Sequence, residues 1–346
     1  MRLQLICFVA LGILRFCSAN EAALQPAVHV KVGPGSFLQW LAMILLPAPP
    51  VTPETTPATI ATTASHVQGS TTEPSSSLPI ERECSSCRCG LINTERKIVG
   101  GQETRRHQYP WMAVLLLLGH FNCAGSLIND LYVLTAGHCV EGVPPELITV
   151  RLLEHNRSDS DALVLQRRAV RVKVHELYNP RSLENDIALI RLDQPVSFEA
   201  PMRPVCLPVY SSSFEGELGK VTGWGALREG GFAAQVLQEV DVLILSQSEC
   251  RSSSYSPAMI TDNMLCAGYL GEGSKDACSG DSGGPLHVLL DEQPGQYQLV
   301  GIVSWGAGCA RPDSPGVYTR VNQYLRWIEA NTPSACACME YPEEDY

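Results

Sequence analysis

Fourteen cysteines in 346 residues constrain this chain more than any other feature. A reducing cytosol has no use for so many thiols unless most bind metal. The count therefore points to an oxidising compartment and a fold stapled by disulfides. The first residues agree. Arg2 gives a positive start, Leu5 to Leu14 a short apolar core, and Cys17-Ser18-Ala19 small residues for cleavage. That is the pattern of a secretory signal over residues 1–19, with a buried hydrophobic segment as the other reading. Its removal takes Cys7 and Cys17 and leaves twelve cysteines, an even number.

Composition divides the rest near residue 80. From Ala22 to Ile80 only Lys31, Glu54 and Glu73 are charged. The run Phe37 to Leu46 is too short for a bilayer span, which needs about 20 residues, and Pro47, Pro49 and Pro50 end it. Between Pro47 and Pro79, 20 of 33 residues are Pro, Thr or Ser, and none is Lys or Arg. Such a segment cannot bury enough surface to fold; it reads as a mucin-type stalk or a bare flexible linker. A protease that cuts after Lys or Arg has no target in it. The net charge of −11 gives no basic field for a nucleic acid.

After residue 80, short apolar runs recur between Gly, Pro, Asn and Asp. They include Ala113 to Leu118, Tyr132 to Ala136, Ile187 to Leu192 and Leu299 to Trp305. Val170 to His175 alternates strictly, as a half-buried strand does. Many short strands over some 230 residues predict a large all-β domain. Helical signals are few. Ser246 and Glu249 form a capping box, and Val321, Tyr324, Leu325 and Ile328 make one apolar face near the end.

Chemistry concentrates in Asp276-Ala277-Cys278-Ser279-Gly280-Asp281-Ser282-Gly283-Gly284-Pro285. Ser282 stands among glycines, where backbone can approach a ligand closely. The amides of Gly280 and Ser282 offer fixed donors to an oxyanion. A serine hydroxyl needs a base; His138 is the candidate, in Thr135-Ala136-Gly137-His138-Cys139, among eight histidines. Asp186 opens an apolar strand, where a carboxylate needs a hydrogen-bonded partner. The order His, Asp, Ser is one of those known for catalytic triads.

With Ile98-Val99-Gly100-Gly101, Tyr109-Pro110-Trp111, Thr222-Gly223-Trp224-Gly225, Ser304-Trp305-Gly306 and Pro315-Gly316-Val317-Tyr318 in the same chain, residues 98 to about 332 resemble the trypsin-like serine proteases of the chymotrypsin fold. The resemblance implies two antiparallel β-barrels, about 98–210 and 215–320, with the catalytic cleft between them and a final helix packed across. Residues 98–333 would be the protease domain, 20–97 a prosegment and 334–346 an acidic, cysteine-bearing tail. Ser282 would be the nucleophile, His138 the base, Asp186 its orienter, and Gly280 and Ser282 the oxyanion donors. Ser304 to Gly306 would pair with substrate backbone. Asp276 would floor a pocket walled by Gly306 and Gly316. Cleavage after Arg or Lys follows, with Arg preferred because Ala277 replaces a usual serine. Cutting after Lys97 would free an Ile98 ammonium to insert beside Asp281 and order the site, so the intact chain would be an inactive zymogen.

The implied disulfides are Cys123–Cys139, Cys250–Cys266, Cys278–Cys309 and, to the prosegment, Cys89–Cys206. Gly219 and Val288 stand where another family pair would be. Cys84, Cys87, Cys336 and Cys338 remain, predicting two bridges between prosegment and tail. A zinc site on the Cys-x₂-Cys-x-Cys run is the rival. Gly137 and Ala124 depart from the family's alanine and glycine. The loop Glu154 to Gln166 partly resembles a calcium loop through Glu154, Asn156, Asp159 and Asp161, but Val164 stands where a glutamate is expected. No other cofactor is expected, and Pro315 argues against sodium binding. Asn156-Arg157-Ser158 is the one N-glycosylation sequon. Implied partners are protein substrates with Arg or Lys at the cleavage site, an activating trypsin-like protease and protease inhibitors. The expected setting is extracellular. A catalytically silent adhesive relative and a metal-binding structural protein are the alternative functions.

Overall fold

A computed structural model describes residues 87–93, 102–271, 280–290, 295–309, 311–336 and 338. The expected signal, the Pro/Thr/Ser-rich segment, Lys97, Ile98, Asp276 and Cys278 lie outside them. The described strands are β1 (Gln102–Glu103), β2 (Met112–Leu117), β3 (His120–Leu127), β4 (Tyr132–Thr135), β5 (Ile148–Leu152), β6 (Leu165–Val174), β7 (Ala188–Leu192), β8 (Leu218–Gly223), β9 (Gln238–Leu243), β10 (Met264–Ala267), β11 (Pro285–Leu289), β12 (Tyr297–Trp305) and β13 (Gly316–Arg320). Among the described residues helix is confined to α1 (Gln247–Arg251), α2 (Leu325–Asn331) and single 3₁₀ turns.

β2 to β7 form a closed antiparallel barrel in the order β2-β3-β4-β7-β6-β5. Closure removes free edges, and alternation fills the interior: Ile148, Val150 and Leu152 of β5 point inward between half-buried Thr149 and Arg151. The second sheet runs β9-β8-β11-β12-β13-β10. It closes where Ile244 bridges Ala267 and the Leu245 amide donates to Cys266. β1 is added outside, against β9. The expected first lobe began at residue 98, yet Gln102–Glu103 belongs to the second sheet. Pairing there satisfies an otherwise open edge.

The alternation from Val170 to His175 is also corrected. The β6–β7 register slips between Ala169 and Arg171. A bulge there leaves one residue unpaired, so Ala169 is buried while Val170 is exposed. The predicted terminal helix is a 3₁₀ turn, Val321–Tyr324, running into α2, with Val321, Tyr324 and Ile328 buried. α1 carries the Ser246–Glu249 capping box.

One apolar cluster fills the first barrel and continues through Trp224, Leu299, Val321 and Ile328, which belong to later elements. A separate cluster fills the second barrel. Each large apolar side chain so buried contributes about 1.5–3 kcal/mol. The missing family disulfide is replaced by packing. Leu286 faces Val221 across β11 and β8, Val288 is buried, and a Cβ on Gly219 would lie 2.6 Å from Leu286 Cδ1.

Cys123 is bonded to Cys139, Cys250 to Cys266 and Cys89 to Cys206. Cys87 is bonded to Cys338 in the tail. Cys309 and Cys336 are disulfide-bonded as well. Residues 87–93 lie along the body: the Gly90 amide donates to Pro204, the Tyr297 amide to Gly90, and Leu91 bridges Gln296.

Candidate active site

His138 sits in the 3₁₀ turn Gly137–Cys139 that follows β4. The Cys123–Cys139 bridge ties this turn to β3. Asp186 precedes β7 and is fully buried. A carboxylate so placed needs donors on every side, and it has them. The His138 backbone amide donates to Oδ1 at 2.8 Å, and His138 Nδ1 meets Oδ2 at 2.7 Å. Ser304 Oγ, from β12, donates to Oδ2 at 2.5 Å. Thr319 Oγ1, from β13, donates to the Asp186 carbonyl at 2.6 Å. The aspartate of the first barrel is thus gripped by two strands of the second.

Burial works against the His138 imidazolium, but the hydrogen bond and charge of Asp186 outweigh it. The net effect raises His138 above the ordinary histidine value. With Nδ1 held by the carboxylate, Nε2 is the nitrogen free to exchange a proton.

Ser282 lies in a loop docked onto this same corner. Its carbonyl accepts from the Ala124 amide at 2.9 Å, one residue beyond Cys123. Gly283 has φ +77°, and a Cβ there would fall 2.2 Å from Thr135 Oγ1 and 2.5 Å from the Ala124 carbonyl. Only glycine fits. The Gly283 amide donates to Val303 and the Val303 amide to Gly284, fixing the loop to β12. Gly280 has φ +105° and backs onto Gly225 and the Phe121 ring. Among the described residues, neither the Gly280 nor the Ser282 amide donates to a backbone carbonyl. No hydrogen bond joins Ser282 to His138 among them; such bonds are commonly long without substrate.

Asp281 turns the other way, its Oδ1 accepting from the Gly225 amide at 2.7 Å. Gly306 comes just after the last residue of β12 and Gly316 opens β13, next to the pair Trp305–Val317. A Cβ on Gly306 would come 3.8 Å from Gly316 Cα, so the two make one bare patch of wall. Tyr255, which the sequence did not single out, braces it: its hydroxyl donates to the Pro315 carbonyl at 2.8 Å and accepts from the Ala307 amide at 3.0 Å. Thr319 and the grip of Ser304 on Asp186 were missed likewise. They are 133 and 118 residues from their partner, beyond any local pattern.

Basic side chains approach the carboxylates of the loop expected to hold calcium. Asp159 and Asp161 accept from Arg106 at 2.9 and 3.1 Å, His107 Nε2 lies 3.2 Å from Asp161, and Glu154 pairs with Arg151 at 3.1 Å. Arg106 thus engages both aspartates, whereas the two carboxylate oxygens of Glu154 are buried without a hydrogen-bond partner. Asn156 Oδ1 accepts from the Ser158 amide and hydroxyl. Among the described residues one cluster has metal-ligating side chains, Cys123, His138 and Cys139. Its two cysteines are joined as a disulfide, so they offer no thiolates.

A closed antiparallel barrel and a second barrel-like sheet, with a buried aspartate bonded to a part-exposed histidine beside a glycine-flanked serine, define a serine hydrolase of the two-barrel kind. Comparison narrows the class. The family model for Trypsin matches residues 98–328, about two thirds of the chain. The chain is 40% identical to trypsin of Squalus acanthias over 238 residues, 69% of this chain and 97% of that protein. It is 35% identical to the proclotting enzyme of Tachypleus tridentatus over 295 residues, 79% and 78%. Against serine proteinase stubble of Drosophila melanogaster identity is 39% over 254 residues, 69% of this chain but 32% of that protein. The chain thus spans about a third of stubble. It belongs to the trypsin family and is a trypsin-like serine endopeptidase.

Proposed function

We propose that this protein is a secreted zymogen, activated by cleavage after Lys97, that hydrolyses peptide bonds following Arg in preference to Lys. The observation that carries the reading is the fully buried Asp186 receiving His138, in the corner where the Ser282 loop docks. Ser282 Oγ attacks the scissile carbonyl as His138 Nε2 takes its proton, giving a tetrahedral oxyanion held by the Gly280 and Ser282 amides. His138 returns the proton to the leaving amine, Asp186 stabilising its cation, and water then releases the acyl group from Ser282 by the reverse steps. Ser304 to Gly306 hold the substrate backbone, and Asp276 pairs with the guest's guanidinium.

On activation the Ile98 ammonium would join Asp281. An α-amine titrates near pH 7.7–8 and its carboxylate partner raises that value. The pair is complete below the amine's unfolded pKa, and the active conformation is lost as pH rises through the raised one. The upstream segment stays attached through Cys89–Cys206 and Cys87–Cys338, and the Cys278–Cys309 and Asn156 modifications belong to the same reading. So do a trypsin-like activator and protein inhibitors as partners. Among the described residues no helix is long and apolar enough to cross a membrane. No cofactor is required in this proposal; EDTA is expected to leave activity unchanged.

The test is direct. The full chain is treated with a trace of trypsin and assayed on an Arg-amide and a Lys-amide. Activity should arise with a new Ile98 terminus, favour Arg, and vanish in Ser282→Ala. Hydrolysis that persists in Ser282→Ala, or none in the activated wild type, would refute the reading.

A further inference from the structure

The leaving-group flank of the cleft carries a cation that the mechanism above does not use. Substrate on the acyl side is held by β12 at Ser304 to Gly306. The opposite flank is the stretch Phe121 to Cys123 of β3, tied to the His138 turn by the Cys123–Cys139 bridge. Phe121 packs against Gly280, its Cε1 3.6 Å from where a Cβ would stand. Over the ring, 4.3 Å from its centre, lies the Arg157 guanidinium. Nε and Nη2 of Arg157 donate to the carbonyls of Ala233 and Ala234, and its backbone amide donates to Gln235.

These partners are neutral. Among the described residues no carboxylate lies within ion-pair distance of Arg157; Glu154, whose charge acts on it, lies 3.1 Å from Arg151. Partial burial and an aromatic floor strengthen the pull of such a cation on a carboxylate, and a guanidinium matches a carboxylate's geometry. An extended peptide advances about 3.3–3.6 Å per residue. Its second residue past the scissile bond is therefore about 7 Å out, and Phe121 is the side chain that joins Gly280 to Arg157.

We propose that Arg157, stacked on Phe121, selects substrates carrying Asp or Glu at the second position after the cleaved bond. This rests on the reading of the site as an Arg-cleaving protease, and it adds a determinant on the far side of the bond.

The experiment uses activated full-length protein and three quenched peptides that differ only at that second position: Asp, Asn or Lys. An Arg-amide without leaving-side residues is the control. The order Asp, Asn, Lys is expected in kcat/KM, with roughly tenfold between the extremes at low salt, narrowing as salt rises. Arg157→Gln should level the three peptides, and Arg157→Lys should keep the order over a smaller span. Equal rates for the three peptides in an enzyme that hydrolyses the amide would overturn the proposal. So would an Arg157→Gln enzyme slowed on every substrate with the ratio intact, because Arg157 would then act only as a brace between loops. An enzyme inert toward the amide would instead sink the reading beneath it.

Discussion

At the scale of single residues, Asp186 illustrates how a buried charge is made tolerable. Four donors reach it, three of them on its carboxylate. Replacing it by Asn keeps the shape but lets the imidazole take the wrong tautomer. Turnover on an Arg-amide should drop by about 10⁴, the loss known for this change in the family. Ser304→Ala removes one charge-assisted bond, and kcat should fall about tenfold or more with KM little altered. Because His138 is raised above its ordinary value and must be neutral to act, the acid limb of kcat/KM should lie above pH ~6.5. A limb at or below that value would contradict the Asp186 coupling.

His287 is the opposite case. It is fully buried among the rings of Tyr109, Trp111 and Tyr297. Neither ring nitrogen has a hydrogen-bond partner. Burial, helped by the Lys220 cation that Glu239 and Asp241 share, holds it well below the usual range. A depressed histidine contributes its full stability above the unfolded value of ~6.5, and loses it as pH falls toward the folded value. Melting temperature should therefore fall between pH 7 and 5, and fall less in His287→Leu; parallel slopes would exclude the idea.

Among elements, legibility followed locality. The capping box of α1, the strands Met112–Leu117 and Tyr132–Thr135, and the three motifs of the site could be read from short windows. What could not be read depended on distant partners. The bulge that exposes Val170 is set by pairing with β7, and the placement of β1 by the free edge of β9. The braces Tyr255 and Thr319 sit in ordinary strand and loop composition, so nothing in their neighbours marks them. Loop 154–166 shows the same limit in electrostatics: nothing in its own spacing announces Arg106, some 50 residues earlier, which pairs with Asp159 and Asp161. The capping box permits a simple check. Ser246→Ala should cost about 1 kcal/mol in urea unfolding, with activity kept, since the Ser246 hydroxyl bonds only within its own turn.

For the molecule as a whole, the two barrels are interdependent. The first supplies His138 and Asp186, and the second supplies Ser282 and the hydroxyls that steady Asp186. The ties at Cys87 and Cys89 act at the same scale. After a cut following Lys97, a gel without reductant should show one species and a gel with reductant two. Cys89→Ser alone should still retain the upstream piece through Cys87–Cys338. A molecule fastened in this way would switch on without leaving its station. Anything bound to the upstream piece would then remain with the enzyme after the cut.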